Sequence, residues 1–241
     1  MRAPMCFPAC YMPHLCAGTA TACLMQSKSY YPLFADLHGR RCLVVGGGPV
    51  AQRKVITLCS YGAEVTVVSP RLTRRLSRLA RTGQIRHIAR RFRPTDLAGV
   101  WLAYAATDDP AINSRVYRAA LRRRVFTNVV DQTPLCTFIA PAIVRQGALT
   151  AAVSTGGASP SLAKLVRDDV RHILRRYAPM AELLRALRGL AKRALPEYGD
   201  RKRYFDHLVR GRVLAHMRAG RPGAARREAL ALLRQRARAK R

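Results

Sequence analysis

A single glycine-rich stretch constrains the fold more than any other part of this sequence. The apolar run Leu43-Val44-Val45 precedes three consecutive glycines, Gly46, Gly47 and Gly48. Short apolar runs with β-branched residues are typical of buried strands. Pro49 follows the glycines, and proline favours the first turn of a helix because its missing N–H costs nothing there. The stretch therefore predicts a strand, a tight turn and a helix.

The spacing of these glycines also predicts a class of ligand. Gly46, Gly48 and Ala51 fit the pattern G-x-G-x-x-A, which marks the phosphate-binding turn of a dinucleotide-binding βαβ unit. Glycine lets the backbone approach a pyrophosphate, and the free N–H groups at a helix start attract its negative charge. Glycine-rich turns are common, but a second apolar strand over Glu64–Val68 makes this assignment specific.

Strands and helices alternate from Tyr30 onward, which predicts a parallel sheet. Further short apolar runs lie at 85–88, 101–106 and 125–130, with helical periodicity through Leu72, Leu76 and Leu79 and over 110–123. This order is typical of an α/β, Rossmann-like domain that binds ligands outside the carboxyl ends of its strands. Thr107, Asp108 and Asp131 all follow such strand ends, so their shared location makes them candidates for the site.

After Asp131 the pattern changes to a hairpin followed by helices. Strands are predicted at 138–144 and 148–153, and the second Gly-rich loop, Ser154–Pro160, opens a helix. Apolar residues at helical spacing predict four helices, of which the last is frayed and lies in the basic tail after Arg210. The first two carry Leu162, Leu165, Val166, Val170, Ile173, Leu174 and Tyr177, and Leu183, Leu184, Leu187, Leu190 and Leu195. The last two carry Tyr204, Phe205, Leu208 and Val209, and Ala229, Leu230, Leu232 and Leu233.

The formal net charge of +31 on 241 residues is extreme, and it leaves three interpretations open. The positive charge could serve nucleic-acid binding, a polyanionic small substrate, or no specific partner, because arginines on solvated helix faces need none. The sequence contains no zinc-finger spacing and no RNP motif, which are signatures of nucleic-acid binding. It also has no apolar run of the length that spans a bilayer, so we expect no membrane partner.

Cysteine and histidine usage predicts a reducing compartment and no metal site. Cys6, Cys10, Cys16 and Cys23 lie in the first 25 residues, whereas Cys42, Cys59 and Cys136 are scattered through predicted elements. This is not a disulfide framework, so we expect a cytoplasmic protein. His14 and the neighbouring cysteines match no zinc template. Residues 1–28 carry prolines that break helices, and we expect a disordered extension or a true start at Met25.

Five motifs in order resemble those of a known family. They are Gly46-Gly47-Gly48-Pro49-Val50-Ala51-Gln52-Arg53-Lys54, Ala105-Ala106-Thr107-Asp108-Asp109, Asn128-Val129-Val130-Asp131, Phe138-Ile139-Ala140-Pro141-Ala142-Ile143 and Ser154-Thr155-Gly156-Gly157-Ala158-Ser159-Pro160. The series resembles the precorrin-2 dehydrogenase/sirohydrochlorin ferrochelatase family, the N-terminal half of siroheme synthase. The similarity runs from about Tyr30 to Val209, and the methyltransferase half of the fused enzyme has no counterpart in this sequence.

The resemblance implies an activity and an architecture. Family members transfer a hydride from precorrin-2, a tetrapyrrole with many carboxylates, to NAD⁺, giving sirohydrochlorin, and many also insert ferrous iron to give siroheme. The implied protein is a homodimer in which residues 29–140 form the NAD-binding domain, 141–178 a dimerisation domain and 179–241 a helical domain.

The resemblance also implies roles for individual residues. The key catalytic aspartate falls on Asp131. NAD contacts fall on the glycine turn (Gly46, Gly47, Gly48, Pro49 and Val50), on Ser69, Pro70 and Arg71, and near Thr107. The loop residue that is phosphorylated in some members falls on Thr155. The family pattern implies no permanent metal ligand.

Elementary chemistry leaves alternatives at several of these positions. A carboxylate beside a dinucleotide turn can accept a proton as hydride leaves, but Asp131 could instead form an Asx turn before Thr133-Pro134. Asp108 and Asp109 favour a capping role before Pro110, and Asn128 could fix a turn or simply end its strand.

The sequence also leaves open which cofactor binds, NAD or NADP, and whether the protein is an enzyme. Ser69 stands where NAD-binding folds usually place an acid, and Arg71 would permit NADP, whereas the resemblance favours NAD. The alternative of a different class is a non-catalytic, NAD-sensing protein that presents a basic surface to nucleic acid.

Overall fold

The computed structural model describes residues 29–239, and the predictions made for residues 1–28 lie outside this range. Five parallel strands form the central sheet: β1 (Arg41–Val45), β2 (Glu64–Val68), β3 (Arg86–Ile88), β4 (Leu102–Ala105) and β5 (Phe126–Val129). Their order is β3-β2-β1-β4-β5, and every neighbouring pair is parallel. The predicted α/β, Rossmann-like sheet is therefore confirmed.

Three helices cover the two faces of this sheet. Helices α1 (Pro49–Ser60) and α2 (Arg74–Arg81) pack on the face that carries Val44 and Tyr104. Helix α3 (Pro110–Arg122) packs on the opposite face, against Leu43 and Val129. Both faces are buried, which is why the strands read as continuous apolar runs rather than as an alternating pattern.

The sheet has one point at which its winding reverses. The chain builds β2 and β3 outward from β1, then crosses back to add β4 on the other side of β1. The loops that follow β1 and β4 diverge at this position, and ligands of open α/β sheets bind in the crevice between such loops. The glycine turn after β1 lies there.

The start of α2 lies two residues later than predicted. Leu72 was expected inside this helix, but the helix begins at Arg74. Thr73 is the N-cap, and its hydroxyl oxygen accepts a hydrogen bond from the Leu76 N–H at 3.3 Å. A capping threonine takes extended backbone angles, which places Leu72 before the helix.

The hairpin that follows the sheet begins later than predicted. Strands β6 (Ala142–Gln146) and β7 (Leu149–Val153) pair antiparallel, whereas the sequence predicted a strand from Phe138. The earlier residues are bound to the edge of the main sheet instead: Thr137 N–H donates to Thr127 O at 2.8 Å, and Asn128 Nδ2 donates to Phe138 O at 3.1 Å. Pro141 then offers no N–H to extend the hairpin.

One long helix replaces two predicted helices. Helix α4 runs from Pro160 to Ala194, 35 residues, with Pro179 inside it, so the separate helices predicted over 162–177 and 183–195 are wrong. A proline removes one intrahelical hydrogen bond and commonly ends a helix. Here the helix continues through the proline, and it packs both against the hairpin and against the later helices.

Three shorter helices complete the chain: α5 (Tyr198–Arg210), α6 (Arg212–Arg218) and α7 (Pro222–Arg238). They bury Leu208, Val213 and Ala229 against the second half of α4, and the fully buried Tyr204 donates its hydroxyl hydrogen to Ala229 O at 2.9 Å. The basic tail was expected to form one frayed helix, but it contains α6 and a packed α7. Within residues 29–239 no helix is both long and apolar enough to cross a membrane.

Candidate active site

The three glycines after β1 meet different surroundings. Gly46 has a φ of +123°, and a Cβ on it would collide with the Ala106 carbonyl oxygen of the loop after β4. A Cβ on Gly47 would collide with the Arg71 carbonyl oxygen of the loop after β2. A Cβ on Gly48 would meet no atom of the described residues within 4 Å. Gly46 and Gly47 therefore allow close packing of loops, whereas Gly48 faces open space.

The start of α1 is an anion-binding position. Gly48 is the N-cap and Pro49 occupies the first turn, with neither a capping side chain nor an acidic residue there. The Gln52 N–H donates to Gly48 O at 2.9 Å, so the amides before it have no acceptor of their own within the helix. A helix N-terminus of this kind attracts a phosphate group.

A cavity of about 310 Å³ opens above this turn, at the carboxyl ends of the strands. Residues from every predicted site segment line it, and its lining consists of Val45, Gly46, Gly47, Gly48, Pro49, Val50, Val68, Ser69, Pro70, Arg91, Phe92, Ala106, Thr107, Asp108, Ile112, Val130 and Asp131. Of the predicted site residues, Arg71 is the one that does not line this cavity.

The loop after β2 is fixed to the glycine turn. Ser69 is buried, and its hydroxyl donates to Arg71 O at 2.7 Å. The Thr73 N–H donates to Gly47 O at 2.9 Å, and the Thr73 hydroxyl donates to Gln52 Oε1 at 2.7 Å. These bonds present Ser69 and Pro70 to the cavity, while Arg71 contributes its carbonyl group to the packing against Gly47.

Arg91 lies in the cavity lining although sequence reasoning missed it. It follows β3, the strand next to β2, in a segment anchored by a two-bond ion pair between its neighbour Arg90 and Asp96, with N–O distances of 2.6 and 2.9 Å. The Asp96 carboxylate is largely covered, which raises its pKa, but the bonds from Arg90 and the Arg93 N–H outweigh this, so its pKa lies below the ordinary value.

The loop after β4 is held by an asparagine that sequence reasoning also missed. Asn113 is buried in α3; its Nδ2 donates to Thr107 O at 2.9 Å, and its Oδ1 accepts from the Thr107 hydroxyl at 2.8 Å. Asp109 caps α3 by accepting from the Ala111 and Ile112 N–H groups at 2.8 and 3.2 Å, so its predicted capping role is confirmed. Asp108 lines the cavity instead.

Asp131 lies two residues after the end of β5 and lines the cavity at the edge of the sheet. Its φ is +58°, a left-handed conformation that aspartate tolerates better than most residues. Its carboxylate makes no hydrogen bond with any residue in the range 29–239, so the alternative of an Asx turn before Thr133 does not form. The loop is held instead by Cys136, whose Sγ accepts from the Val129 N–H at 3.3 Å.

Asn128 and Thr155 are accounted for by local hydrogen bonds. The Asn128 side chain ties β5 to the Phe138 segment, so it fixes a loop next to the site rather than only ending its strand. Thr155 Oγ1 donates to Ser159 O at 3.1 Å and accepts from the Ser159 N–H at 3.0 Å. Among the residues that the structure describes, no group of three or more His, Cys, Asp or Glu is placed to hold a metal ion.

Three family models match successive parts of the chain. An NAD(P)-binding model matches residues 33–142, a model of the central region of sirohaem biosynthesis proteins matches 146–172, and a model of the sirohaem synthase dimerisation region matches 176–233.

Relatives and a solved structure agree with these matches. Siroheme synthase 1 of Pectobacterium atrosepticum is 42% identical over 193 residues, which cover 80% of this chain and 40% of the relative. Siroheme synthase of Thioalkalivibrio sulfidiphilus is 40% identical over 198 residues, 82% of this chain and 40% of that one. The structure of SirC, a precorrin-2 dehydrogenase, superposes with a TM-score of 0.72 at 26% identity, covering 86% of this chain and 100% of SirC. The chain thus spans about two fifths of the curated relatives it matches.

Proposed function

The chain belongs to the precorrin-2 dehydrogenase/sirohydrochlorin ferrochelatase family, and we propose that it oxidises precorrin-2 to sirohydrochlorin with NAD⁺, a step of siroheme biosynthesis. The observation that carries this proposal is one cavity that is lined by both the glycine turn and Asp131. Nothing in the geometry or the similarities favours the alternative of a nucleic-acid-binding NAD sensor.

The cavity fits a dinucleotide. The free amides at the start of α1 would hold the pyrophosphate, with Gly48 leaving room for its close approach. Ser69 and Pro70, at the end of β2, would hold the adenosine ribose, and Thr107 would lie along the nicotinamide half. When bound, the nicotinamide ring supplies the hydride acceptor.

Asp131 would carry the proton of the reaction. The oxidation removes two electrons and two hydrogens from the macrocycle, one as a hydride and one as a proton. The hydride leaves to the cofactor, and the Asp131 carboxylate, which has no hydrogen-bond donor among residues 29–239, is free to accept the proton. Bonds from Cys136 and Asn128 hold the backbone on either side of Asp131.

The charge of the chain suits this substrate. Precorrin-2 carries many carboxylates, and the net charge of +31 would raise its local concentration and its association rate. Attraction of the substrate explains only part of the positive charge and does not assign a role to every arginine. Cys42 and Cys59 are free thiols, consistent with the reducing cytoplasm that the composition predicts, and the location stays a prediction.

We place the homodimer interface on the first half of α4. The predicted apolar stripe of this helix is largely uncovered in the single chain: Leu162 is 49% exposed, Leu165 61% and Ile173 57%. An apolar helix face of this kind is typical of a protein–protein contact. The boundaries 29–140, 141–178 and 179–241 stay a prediction, and α4 runs through position 178. Light scattering of Leu165→Arg should report monomers where the unmodified chain gives dimers.

Insertion of ferrous iron is the second step that the family suggests. Asp131 is a hard oxygen base that could take up the pyrrole protons released as the metal enters the ring. Iron is here a substrate, so the reaction needs no permanent metal site. Anaerobic incubation of sirohydrochlorin with Fe²⁺ or Co²⁺ tests this step, and a rate no faster than the protein-free control would confine the chain to oxidation.

The oxidation itself is tested by anaerobic incubation of precorrin-2 with NAD⁺ and the purified protein. We expect the absorbance of sirohydrochlorin and of NADH to rise together in equal amounts, with no change when NAD⁺ is left out. Unchanged spectra with NAD⁺ present would refute the proposed activity.

A further inference from the structure

Lys54 is an unusual residue in this chain. Most basic residues of the chain are arginines, and Lys54 is the one lysine in the sequence between positions 29 and 159. An ammonium is a compact point charge on a flexible stem, whereas a guanidinium is a broad planar fork. A compact cation at this single position calls for a local explanation.

The structure holds the Lys54 ammonium over an aromatic ring. Lys54 projects from α1 on the sheet face that carries Tyr104, and its Nζ lies 5.0 Å from the centre of the Tyr104 ring. Tyr104 is itself only 7% exposed, and Phe138 packs edge-on against it at 5.4 Å between ring centres. A cation over a ring face is attracted to it, so this contact restricts where the charge can lie.

No carboxylate of residues 29–239 pairs with this cation. Lys54 is half-buried, yet it makes neither an ion pair nor a hydrogen bond with any of residues 29–239. Burial lowers the pKa of its ammonium, and the positive charge of Arg53 lowers it further, whereas Asp131 and Cys136 raise it. The ammonium therefore interacts electrostatically with Asp131 without contacting it. A partly desolvated, unpaired cation is costly, which favours an anionic partner that arrives with the substrate.

We infer that the Lys54 ammonium is a docking point for one carboxylate of the tetrapyrrole and sets the macrocycle beside Asp131. Tyr104 is in strand β4 and is paired in register with Asn128 of β5, and Asp131 follows β5 at the edge of the sheet. Lys54 thus packs over β4, and Asp131 follows the neighbouring strand β5; Asp131 lines the cavity at the glycine turn, whereas Lys54 lies beside that cavity without lining it. The inference rests on the proposed function because it takes the tetrapyrrole as the ligand.

Binding of sirohydrochlorin, measured anaerobically by its absorbance change, tests this role without any turnover. A hydrogen bond to a charged group is strong enough that its loss weakens binding about 10-fold or more. We expect Lys54→Met, which keeps the length of the side chain, to raise the Kd for sirohydrochlorin by about this factor. Lys54→Arg should recover part of the loss. The matched control is Arg53→Met, at the exposed neighbouring position on α1, which should change the Kd less than about 2-fold.

A second readout separates docking from a structural role. The NAD⁺ affinity and melting temperature of Lys54→Met should match those of the unmodified protein, and bound sirohydrochlorin should protect Lys54 from acetylation, measured by mass spectrometry. Unchanged sirohydrochlorin binding in Lys54→Met, or unprotected Lys54, would overturn the inference while precorrin-2 oxidation by the unmodified protein still upholds the function. An unmodified protein that neither binds sirohydrochlorin nor oxidises precorrin-2 would overturn both.

Discussion

The contrast between Gly46 and Gly48 gives a sharp test of the cofactor site, because the two glycines meet different surroundings. Gly48→Ala places a methyl group in open space within the cavity lining, at a φ of −81° that alanine adopts freely. Gly46→Ala places the same methyl group against a backbone carbonyl, at a φ of +123°. We therefore expect Gly48→Ala to affect ligand binding and Gly46→Ala to affect folding.

The expected sizes follow from these surroundings. Alanine is a poorer N-cap than glycine by about 0.5–1 kcal/mol, and it gains about 0.4–1 kcal/mol by restricting the unfolded chain, so Gly48→Ala should leave the free energy of unfolding nearly unchanged. Its methyl group would displace a phosphate from the helix amides. Each lost hydrogen bond to a charged group costs about 1.5–3 kcal/mol, which raises the Kd for NAD⁺ by about 10-fold or more.

Gly46→Ala has no such compensation. The left-handed conformation alone costs about 1–2 kcal/mol in alanine, and the collision with Ala106 O, a backbone atom that cannot rotate away, adds to it. Calorimetric titration with NAD⁺ and thermal melting of both variants provide the assay. The reasoning is refuted if Gly48→Ala binds NAD⁺ like the unmodified protein, or if its melting temperature falls as far as that of Gly46→Ala.

Three further predictions concern the loops around the cavity. Asp96→Asn should lower the free energy of unfolding at neutral pH by about 1–3 kcal/mol; because the pKa of Asp96 is lowered by folding, this difference is present above the unfolded pKa and should shrink as urea melts are repeated toward pH 2. Arg91→Glu should raise the ratio of kcat/KM for NAD⁺ over NADP⁺ by about 10-fold, since Arg91 lines the cavity. Arg71 does not line it, so an equal or larger effect of Arg71→Glu would contradict this assignment of Arg91 to the cofactor site. Asp109→Ala should destabilise the protein by about 1 kcal/mol through loss of the α3 cap, and weakened NAD⁺ binding in this variant would show a further role.

The parallel sheet was predictable because local and global preferences agree there. The β-branched run of β2 and the Leu43–Val45 run of β1 are buried on both faces, so each strand is visible without knowledge of its neighbours. The glycine turn was predictable for the same reason, since its backbone conformation demands glycine. That the turn and Asp131 share one cavity followed from the general rule for strand ends.

Other features depend on contacts that no local pattern contains. The continuity of α4 through Pro179 depends on its packing against the hairpin and the later helices, and the late start of β6 depends on bonds from Thr137 and Asn128 to other segments. The presence of Arg91 and the absence of Arg71 from the cavity lining depend on how neighbouring loops fold over the sheet edge. Asn113 gave no signal because a single asparagine in the first turns of a helix is unremarkable in sequence.

The central claim is that one carboxylate, beside a cofactor held at the glycine turn, takes up the proton as hydride leaves the macrocycle. The most direct test is a single-turnover measurement of sirohydrochlorin formation from precorrin-2 and NAD⁺ by Asp131→Ala, with NAD⁺ affinity determined on the same sample. The account predicts an NAD⁺ affinity equal to that of the unmodified protein and a rate of oxidation lowered by at least about 100-fold. Oxidation at the unmodified rate would contradict it.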